Sequence, residues 1–434
     1  MTKAKYYKYA VASSIASKVA STLVQLVLMP IAAAALGSGG FALYVMLTAA
    51  AGWLSMTNLG LGPTLSVRIA QNETSGSPQH EQALFSSIFW VSVVLSCAVA
   101  ISTIMCIFML PVHNLFGAGF VDSAQTIAFG LLVLTLAYIL QSTLAIYEAA
   151  QAGRQRQYTT NIATALSAPA TMAAVYFTAK WMPNPVALLV AGLLPTLITR
   201  TAHAWWIASR RSSFVPRWAG FDAGLAKSVM VSGAFYSLAG SAGNFISHGL
   251  PTMLVGRVLD TAQTGSFAAT LTLVTLLSGV TSMMASPAIP AIANSHAEHD
   301  SHWVHQAYWK LVTWSAVFSA GTALALGFLG DVIFAWWLRG TVAPSQELLL
   351  FAGLYFILSS IEVVHFSVLT AFHRIKVASA LVFARAVVGG LLTVAWLPSG
   401  NSATPFKAMC VAILMIDLLP LFLMVRSSLV TQRA

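Results

Sequence analysis

The chain has 434 residues, of which 58% are hydrophobic and only 8% are charged, and its mean hydropathy is +0.79. A soluble globular protein carries about 25% charged residues, so the composition excludes an ordinary soluble domain and indicates a membrane protein. The formal net charge of +10 fits basic loops beside anionic lipid headgroups and does not predict a nucleic-acid partner.

Apolar stretches long enough to cross a bilayer follow one another along the whole chain. A helix of about 20 mostly apolar residues covers the hydrocarbon thickness, and only helices or closed barrels satisfy their backbone groups in lipid. Segments this long and continuously apolar are helices rather than barrel strands. The sequence therefore predicts an all-α polytopic membrane protein with about twelve transmembrane helices, at residues 10–36, 41–67, 84–111, 124–149, 158–181, 185–208, 226–254, 263–291, 308–330, 346–371, 376–397 and 404–425.

The basic residues predict the orientation of these spans. With the N-terminus in the cytoplasm, 15 of the 22 Lys and Arg residues lie on the cytoplasmic side, four lie outside and three lie within spans. This asymmetry follows the positive-inside rule and predicts that both termini are cytoplasmic.

The longest cytoplasmic connection, at about 209–225, divides the chain near its middle. We predict an N-terminal lobe at 1–212 and a C-terminal lobe at 213–434, each with six helices. A weak repeat supports the division, because Pro30 and Pro251 end similar helices at the start of each half. Six spans per half give both halves the same direction in the membrane, as in parallel repeats related by a pseudo-two-fold axis.

Polar residues form a stripe along the first span. Ser14, Lys18, Ser21 and Gln25 recur at i, i+4, i+7 and i+11, within a sector of about 60° on a helix. A lysine near the centre of a lipid-facing helix costs about 2.5–3.5 kcal/mol. The stripe therefore either packs against other helices or lines a water-filled cavity, and we favour the cavity.

The seventh span repeats this spacing with Ser237, Ser241, Asn244 and His248. The match between the first helices of the two halves favours one shared cavity. We therefore predict that Asn244 and His248 join the stripe of the first span in binding substrate.

Charged groups also lie within the late spans. Arg385 is interpreted as a second cavity cation, with a structural ion pair as the alternative. Glu362 and His365, three residues apart on one helix face, are candidates for ion coupling, and the alternative is a hydrogen bond or a salt bridge to another helix. Asp417 is expected to pair with a basic neighbour.

No enzyme is predicted, because the chain lacks a Walker A sequence, an H-E-x-x-H motif and a nucleophile elbow. No cofactor is predicted either, although coupling to H⁺ or Na⁺ stays open. Four histidines repeat every third residue at 296–305 without any cysteine. Because such steps drift around a helix, we interpret them as a solvated cytoplasmic helix and predict no metal site.

Several short motifs have a recognisable order. They are Lys18, Pro30, Leu-Gly at 36–37, Gly-Phe-Ala-Leu-Tyr at 40–44, Asn-Leu-Gly-Leu-Gly-Pro at 58–63, Arg-Ile-Ala at 68–70, Gln-Ala-Gly-Arg at 151–154 and Ala-Phe-His-Arg at 371–374. In this layout the chain resembles the polysaccharide (O-antigen type) flippases of the multidrug/oligosaccharidyl-lipid/polysaccharide exporter superfamily.

The resemblance implies a V-shaped bundle of two lobes with a central cavity, in a bacterial inner membrane. Its cargo would be an undecaprenyl-pyrophosphate-linked oligosaccharide for O-antigen (lipopolysaccharide), exopolysaccharide or capsule, carried from the cytoplasmic to the periplasmic leaflet by alternating access. Lys18 and Arg385 would attract the pyrophosphate, and the polar stripes would contact sugar. Besides membrane lipid, the implied partners are a polysaccharide polymerase and a chain-length regulator.

Three other functions stay open. A cation-coupled multidrug exporter would carry acids in the cavity, and the first two spans contain none. A flippase of peptidoglycan precursors would carry several arginines in its first two helices, where this chain has Lys18 and Arg68. A membrane polysaccharide polymerase or ligase would need a large outside loop, and the longest such connection here is only about 331–345.

Overall fold

The computed structural model describes residues 3–56, 60–75, 77–109, 111, 115–285, 300–372 and 374–430, together with 289, 292–293, 295 and 298. Within these residues the chain is helical and contains no strand. Ten of the described helices are long and apolar enough to cross a membrane. The prediction of an all-α polytopic membrane protein is confirmed.

The helices follow one another with short connections. In the first part of the chain they are α1 (Lys3–Met56), α2 (Leu61–Ser75), α3 (Pro78–Met109), α4 (Ala124–Gly153), α5 (Gln157–Trp181), α6 (Pro185–Arg210) and α7 (Ala223–Ser237). The second part contains α8 (Leu250–Val258), α9 (Thr261–Ala285), α10 (Ser301–Trp337), α11 (Gln346–Ala371), α12 (Ile375–Trp396), α13 (Thr404–Ala412) and α14 (Leu419–Val430).

Ten membrane-crossing helices account for eleven of the twelve predicted spans. The first two spans both lie in α1, where Gly37 is the non-helical residue between them (φ 64°, ψ −176°), a conformation that glycine adopts without steric cost. The seventh predicted span is the missing one, and in the structure it consists of α7, π-helical turns at Leu238–Ala242 and Phe245–Gly249, and α8. The count of about twelve crossings stays a prediction.

The chain forms two compact units, residues 1–241 and 242–434. The division lies inside the predicted seventh span rather than at 212/213, because α7 packs against α2 and α3 of the first unit. The two six-helix lobes with a central cavity stay a prediction.

Close approach between α2 and α4 depends on Gly153 at the end of α4. A Cβ atom at this position would lie 2.6 Å from the carbonyl oxygen of Ser66 and 2.9 Å from Cβ of Ile69. Small residues permit such contacts between membrane helices, whose association cannot draw on a hydrophobic driving force. This contact supports the aromatic core of the first unit, in which Phe85 lies 5.1 Å from Tyr147 between ring centroids.

Two ion pairs tie the helices of the first unit together. Arg154 Nε donates to Glu81 Oε1 at 2.6 Å, and its Nη2 donates to the other carboxylate oxygen. Arg200 binds Glu148 in the same two-pronged way, at 2.5 and 2.6 Å. Each pair joins different helices or helix ends, so each neutralises a charge where α3, α4 and α6 meet.

Candidate functional site

The polar stripe of α1 is largely uncovered. Lys18, Ser21 and Gln25 are exposed, and Ser14 is half-buried. The Ser21 hydroxyl donates to the backbone oxygen of Ser17 at 2.9 Å, within the same helix. The stripe therefore does not serve as the packing face of α1, which disfavours the interpretation of these side chains as links between helices.

A different face of α1 makes the helix contacts. Ser17 on this face is buried, and the Ser13 hydroxyl accepts a hydrogen bond from Asn161 Nδ2 of α5 at 3.1 Å. On the other side of the stripe, Ile15 and Val19 are exposed and apolar. The helix thus presents a packed face, a polar face and an apolar face that suits lipid. A lysine on the polar face is tolerable in a membrane only where water reaches it.

The second stripe is altered by the π-helical turns. A π-turn closes i→i+5 bonds, so it changes the angular position of every residue after it relative to a continuous α-helix. Ser237 is buried, Ser241 and His248 are half-buried, and Asn244 is exposed. The four residues therefore differ in exposure, and the spacing that the sequence gives for an uninterrupted helix does not apply to them.

Asn244 and His248 nevertheless form a polar cluster with a third residue. His248 Nδ1 lies 2.9 Å from Asn244 Oδ1, and Nε2 lies 3.2 Å from the hydroxyl of Tyr355 on α11. Both ring nitrogens are therefore engaged. The sequence analysis did not predict a role for Tyr355. The feature that could have indicated one is its position seven residues before Glu362, on the same helix face.

Arg385 lies in a buried charge cluster rather than on an exposed surface. Its Nη2 donates to Glu362 Oε1 at 2.9 Å, its Nε lies 3.7 Å from Asp417 Oδ2, and its Nη1 lies 3.5 Å from the hydroxyl of Ser247. Asp417 occupies a π-helical turn, Ile413–Leu418. The cluster joins α11, α12 and two π-helical turns, and it contains two carboxyl groups for one guanidinium.

Glu362 and His365 take separate partners. Glu362 pairs with Arg385, which is the salt bridge to another helix that the sequence left open. His365 Nε2 instead lies 2.9 Å from the hydroxyl of Tyr308 on α10. Both side chains are buried. The two candidates for ion coupling are neighbours on α11, and each binds a different residue rather than the other.

Part of the predicted histidine cluster lies outside the described residues, namely His296 and His299. His302 is exposed and His305 is half-buried. No group of three or more potential metal ligands occurs among the residues that the structure describes. Asn58 and His373 of the sequence motifs also lie outside them.

Comparisons with known proteins place the chain in a family. The pattern of the family described as "Polysaccharide biosynthesis protein" matches residues 9–296. No curated protein matches the chain in sequence.

Three solved structures illustrate the similarity in fold. An inward-facing multidrug resistance MATE family transporter of the MOP superfamily is 12% identical, with 95% of both chains covered and a TM-score of 0.77. Lipid II flippase MurJ is 12% identical, with 96% of this chain and 90% of MurJ covered and a TM-score of 0.73. A MOP superfamily transporter from Pyrococcus furiosus is 13% identical, with 99% and 96% covered and a TM-score of 0.63. The fold is therefore that of MATE transporters and MurJ, and the chain belongs to the polysaccharide biosynthesis protein family.

Proposed function

We propose that the protein is a flippase that carries a polyprenyl-pyrophosphate-linked oligosaccharide from the cytoplasmic to the outer leaflet of a bacterial inner membrane, with both termini in the cytoplasm. Its family is one of polysaccharide biosynthesis, and its fold is shared by a lipid II flippase. The observation that carries the proposal is Lys18, an exposed cation within an apolar membrane helix.

The chemistry of the polar stripe suits such a headgroup. Lys18 supplies a charge-assisted hydrogen bond to a phosphate oxygen. Ser14, Ser21 and Gln25 offer hydroxyl and amide groups that match sugar hydroxyls, as do Asn244 and His248 in the second unit. The lipid tail stays in the bilayer during an alternating-access cycle. A polymerase and a chain-length regulator are the partners that would use the product.

Arg385 receives a different role in this proposal. Because Glu362 and Asp417 neutralise its charge, we assign the pyrophosphate contact to Lys18. Two carboxylates beside one guanidinium leave one surplus negative charge, and a buried unpaired charge is costly. The cluster therefore suits the binding of one H⁺ or Na⁺, which would couple the cycle to an ion gradient. His365 and Tyr308 lie on the same side of α11 as a second titratable pair.

The same cluster favours a second candidate function, a cation-coupled multidrug exporter, because such a transporter needs membrane-embedded acids. The cationic stripe of α1 argues against it, since a positive charge would repel cationic drugs. A peptidoglycan-precursor flippase shares the phosphate chemistry and differs in the sugar. No feature of the described residues supports a polymerase or a ligase.

The test is transport of a labelled polyprenyl-pyrophosphate oligosaccharide by purified protein in liposomes. We expect Lys18→Gln to reduce the transport rate at least about 10-fold, because the variant loses one hydrogen bond between charged groups. Lys18→Arg should retain transport, and Lys180→Gln, an exposed lysine at the end of α5, is the matched control. Full transport by Lys18→Gln would refute the role of Lys18, and transport of drugs instead of the lipid would favour the exporter.

A further inference from the structure

The connection between α6 and α7 is an ordered segment held against α3. We call residues 211–222 the connecting strap. Its backbone N–H groups at Arg217 and Asp222 donate to the hydroxyls of Ser86 and Ser87, at 3.1 and 2.8 Å. Phe214 of the strap is fully buried. The strap therefore has one fixed orientation on the first unit.

This orientation turns aromatic side chains outward. Trp218 is 67% exposed, with its ring stacked on Phe221 at 5.7 Å and edge-on to Trp90 of α3 at 5.2 Å. Trp205 and Trp206, near the end of α6, are exposed as well. Trp218 and Phe221 thus form an exposed aromatic patch beside the half-buried Trp90, Trp205 and Trp206 add exposed rings at the end of α6, and such rings do not suit bulk water.

The depth of this patch in the bilayer follows from the spans. The strap contacts residues 86–90, at the beginning of the predicted span 84–111, and the two tryptophans of α6 lie at the end of the predicted span 185–208. Both places are therefore at a membrane–water interface, where tryptophan is enriched. The amphipathic rings can sit at headgroup level while the strap stays parallel to the surface.

Basic side chains lie along the same segment of the chain. The Arg210 guanidinium lies 5.3 Å from the ring centre of Trp206, and Arg217 and Lys227 are exposed. The one acid of the strap, Asp222, is engaged at the start of α7, where its Oδ1 accepts from the N–H groups of Gly224 and Leu225. The surface is therefore positive at the level of lipid phosphates.

We propose that the strap and the end of α6 form a binding surface for anionic phospholipid headgroups of the cytoplasmic leaflet. Arginines bind the phosphates, and Trp218 and Phe221 insert beside the upper acyl chains. Basic groups near an anionic membrane surface each strengthen binding by about five-fold. The strap joins the two halves of the sequence, so its lipid contacts would fix the end of α6 and the start of α7 at one depth.

The test measures lipid retention, which does not depend on transport or on the identity of the cargo. Protein is reconstituted in phosphatidylcholine with or without phosphatidylglycerol, extracted in mild detergent, and analysed for bound phosphatidylglycerol by native mass spectrometry. We expect Arg210→Gln/Arg217→Gln to weaken retention about five-fold for each arginine. Arg374→Gln/Lys376→Gln, which removes the same charge from exposed positions of the second unit, should behave like wild type.

Two further measurements keep the outcome unambiguous. In pure phosphatidylcholine the double variant should unfold at the wild-type temperature, because both arginines are exposed. Retention by the wild type should fall in 1 M salt, where the Debye length is about 3 Å. Retention that is insensitive to salt, or equal in the strap variant and the wild type, would overturn the proposal, as would an equal loss in the control variant.

Discussion

Removing the charge of Arg385 should destabilise the protein far more than removing the charge of Asp417. Arg385→Met leaves Glu362 and Asp417 without a cation in a buried site. Asp417→Asn removes only the surplus negative charge and leaves the bond between Arg385 and Glu362 intact. The two variants therefore distinguish a charge cluster with one excess carboxylate from a set of equivalent ion pairs.

The magnitudes follow from the distances. At an effective dielectric constant of about 20, charges 2.9 and 3.7 Å apart attract by about 6 and about 4 kcal/mol before desolvation. After desolvation, breaking a buried pair by removing one partner costs about 3–5 kcal/mol. We expect this loss for Arg385→Met and less than about 1 kcal/mol for Asp417→Asn, whose carboxyl oxygens accept no hydrogen bond from the described residues.

The assay is the free energy of unfolding of purified protein in one detergent, from denaturant titration. Lys407→Met is the matched control, because Lys407 and its partner Glu347 are about one third or more exposed and exposed ion pairs contribute little to stability. Equal losses for Arg385→Met and Asp417→Asn would refute the charge count. A loss for Arg385→Met no larger than for Lys407→Met would refute the burial argument.

Three further changes can be measured with the same assay. Glu81→Gln should lose about 3–5 kcal/mol, because it leaves Arg154 without its partner in a mostly buried site, and a loss below 1 kcal/mol would contradict this. Gly153→Ala should lose about 1–3 kcal/mol, because its methyl group would overlap the carbonyl of Ser66; a neutral effect would mean that α2 can shift. Asp260→Ala should lose about 1 kcal/mol as a helix cap of α9. Hydrogen bonds from Gln263 lower the pKa of the Asp260 carboxyl. The contribution of Asp260 to stability should therefore persist above about pH 4 and fade on further acidification. An Asp260→Ala loss that grows at low pH would contradict this assignment.

The membrane spans could be predicted from the sequence because length and hydrophobicity determine them. Eleven of the twelve predicted spans lie in the ten membrane-crossing helices, and α1 alone contains two of them, separated by one glycine. The exposed stripe of α1 could be predicted for the same reason, since an unbroken helix keeps residues with a period of 3.6 on one face.

The site in the second unit could be predicted only in part. The residue types indicated that Arg385, Glu362 and Asp417 need partners in a membrane, but periodicity within one helix gives no information about which helices meet. The spacing of Asn244 and His248 assumed a regular helix, and the π-helical turns on either side of Asn244 changed their angular positions. Neither turn carries a proline that would have revealed it.

Among the described residues, Lys18 differs from the two arginines within the predicted spans. Arg200 and Arg385, the two arginines within predicted spans, each have a carboxylate partner, and the described residues hold no ion pair of Lys18. An unpaired lysine in an apolar helix is costly. The presence of Lys18 there therefore indicates that it binds an anion, which a cation already paired with a carboxylate could not do.

A carboxylate supplied next to Lys18 should therefore abolish its function without harming the fold. Ser14→Glu places an acid four residues before Lys18, the favourable order for a helical ion pair. Ser14→Gln has the same shape without the charge and is the control. We expect Ser14→Glu to reduce liposome transport of the lipid-linked oligosaccharide about as much as Lys18→Gln does and clearly more than Ser14→Gln does, with all three proteins unfolding at similar temperatures. Equal transport by Ser14→Glu and Ser14→Gln would mean that the positive charge of Lys18 is not what the cargo requires.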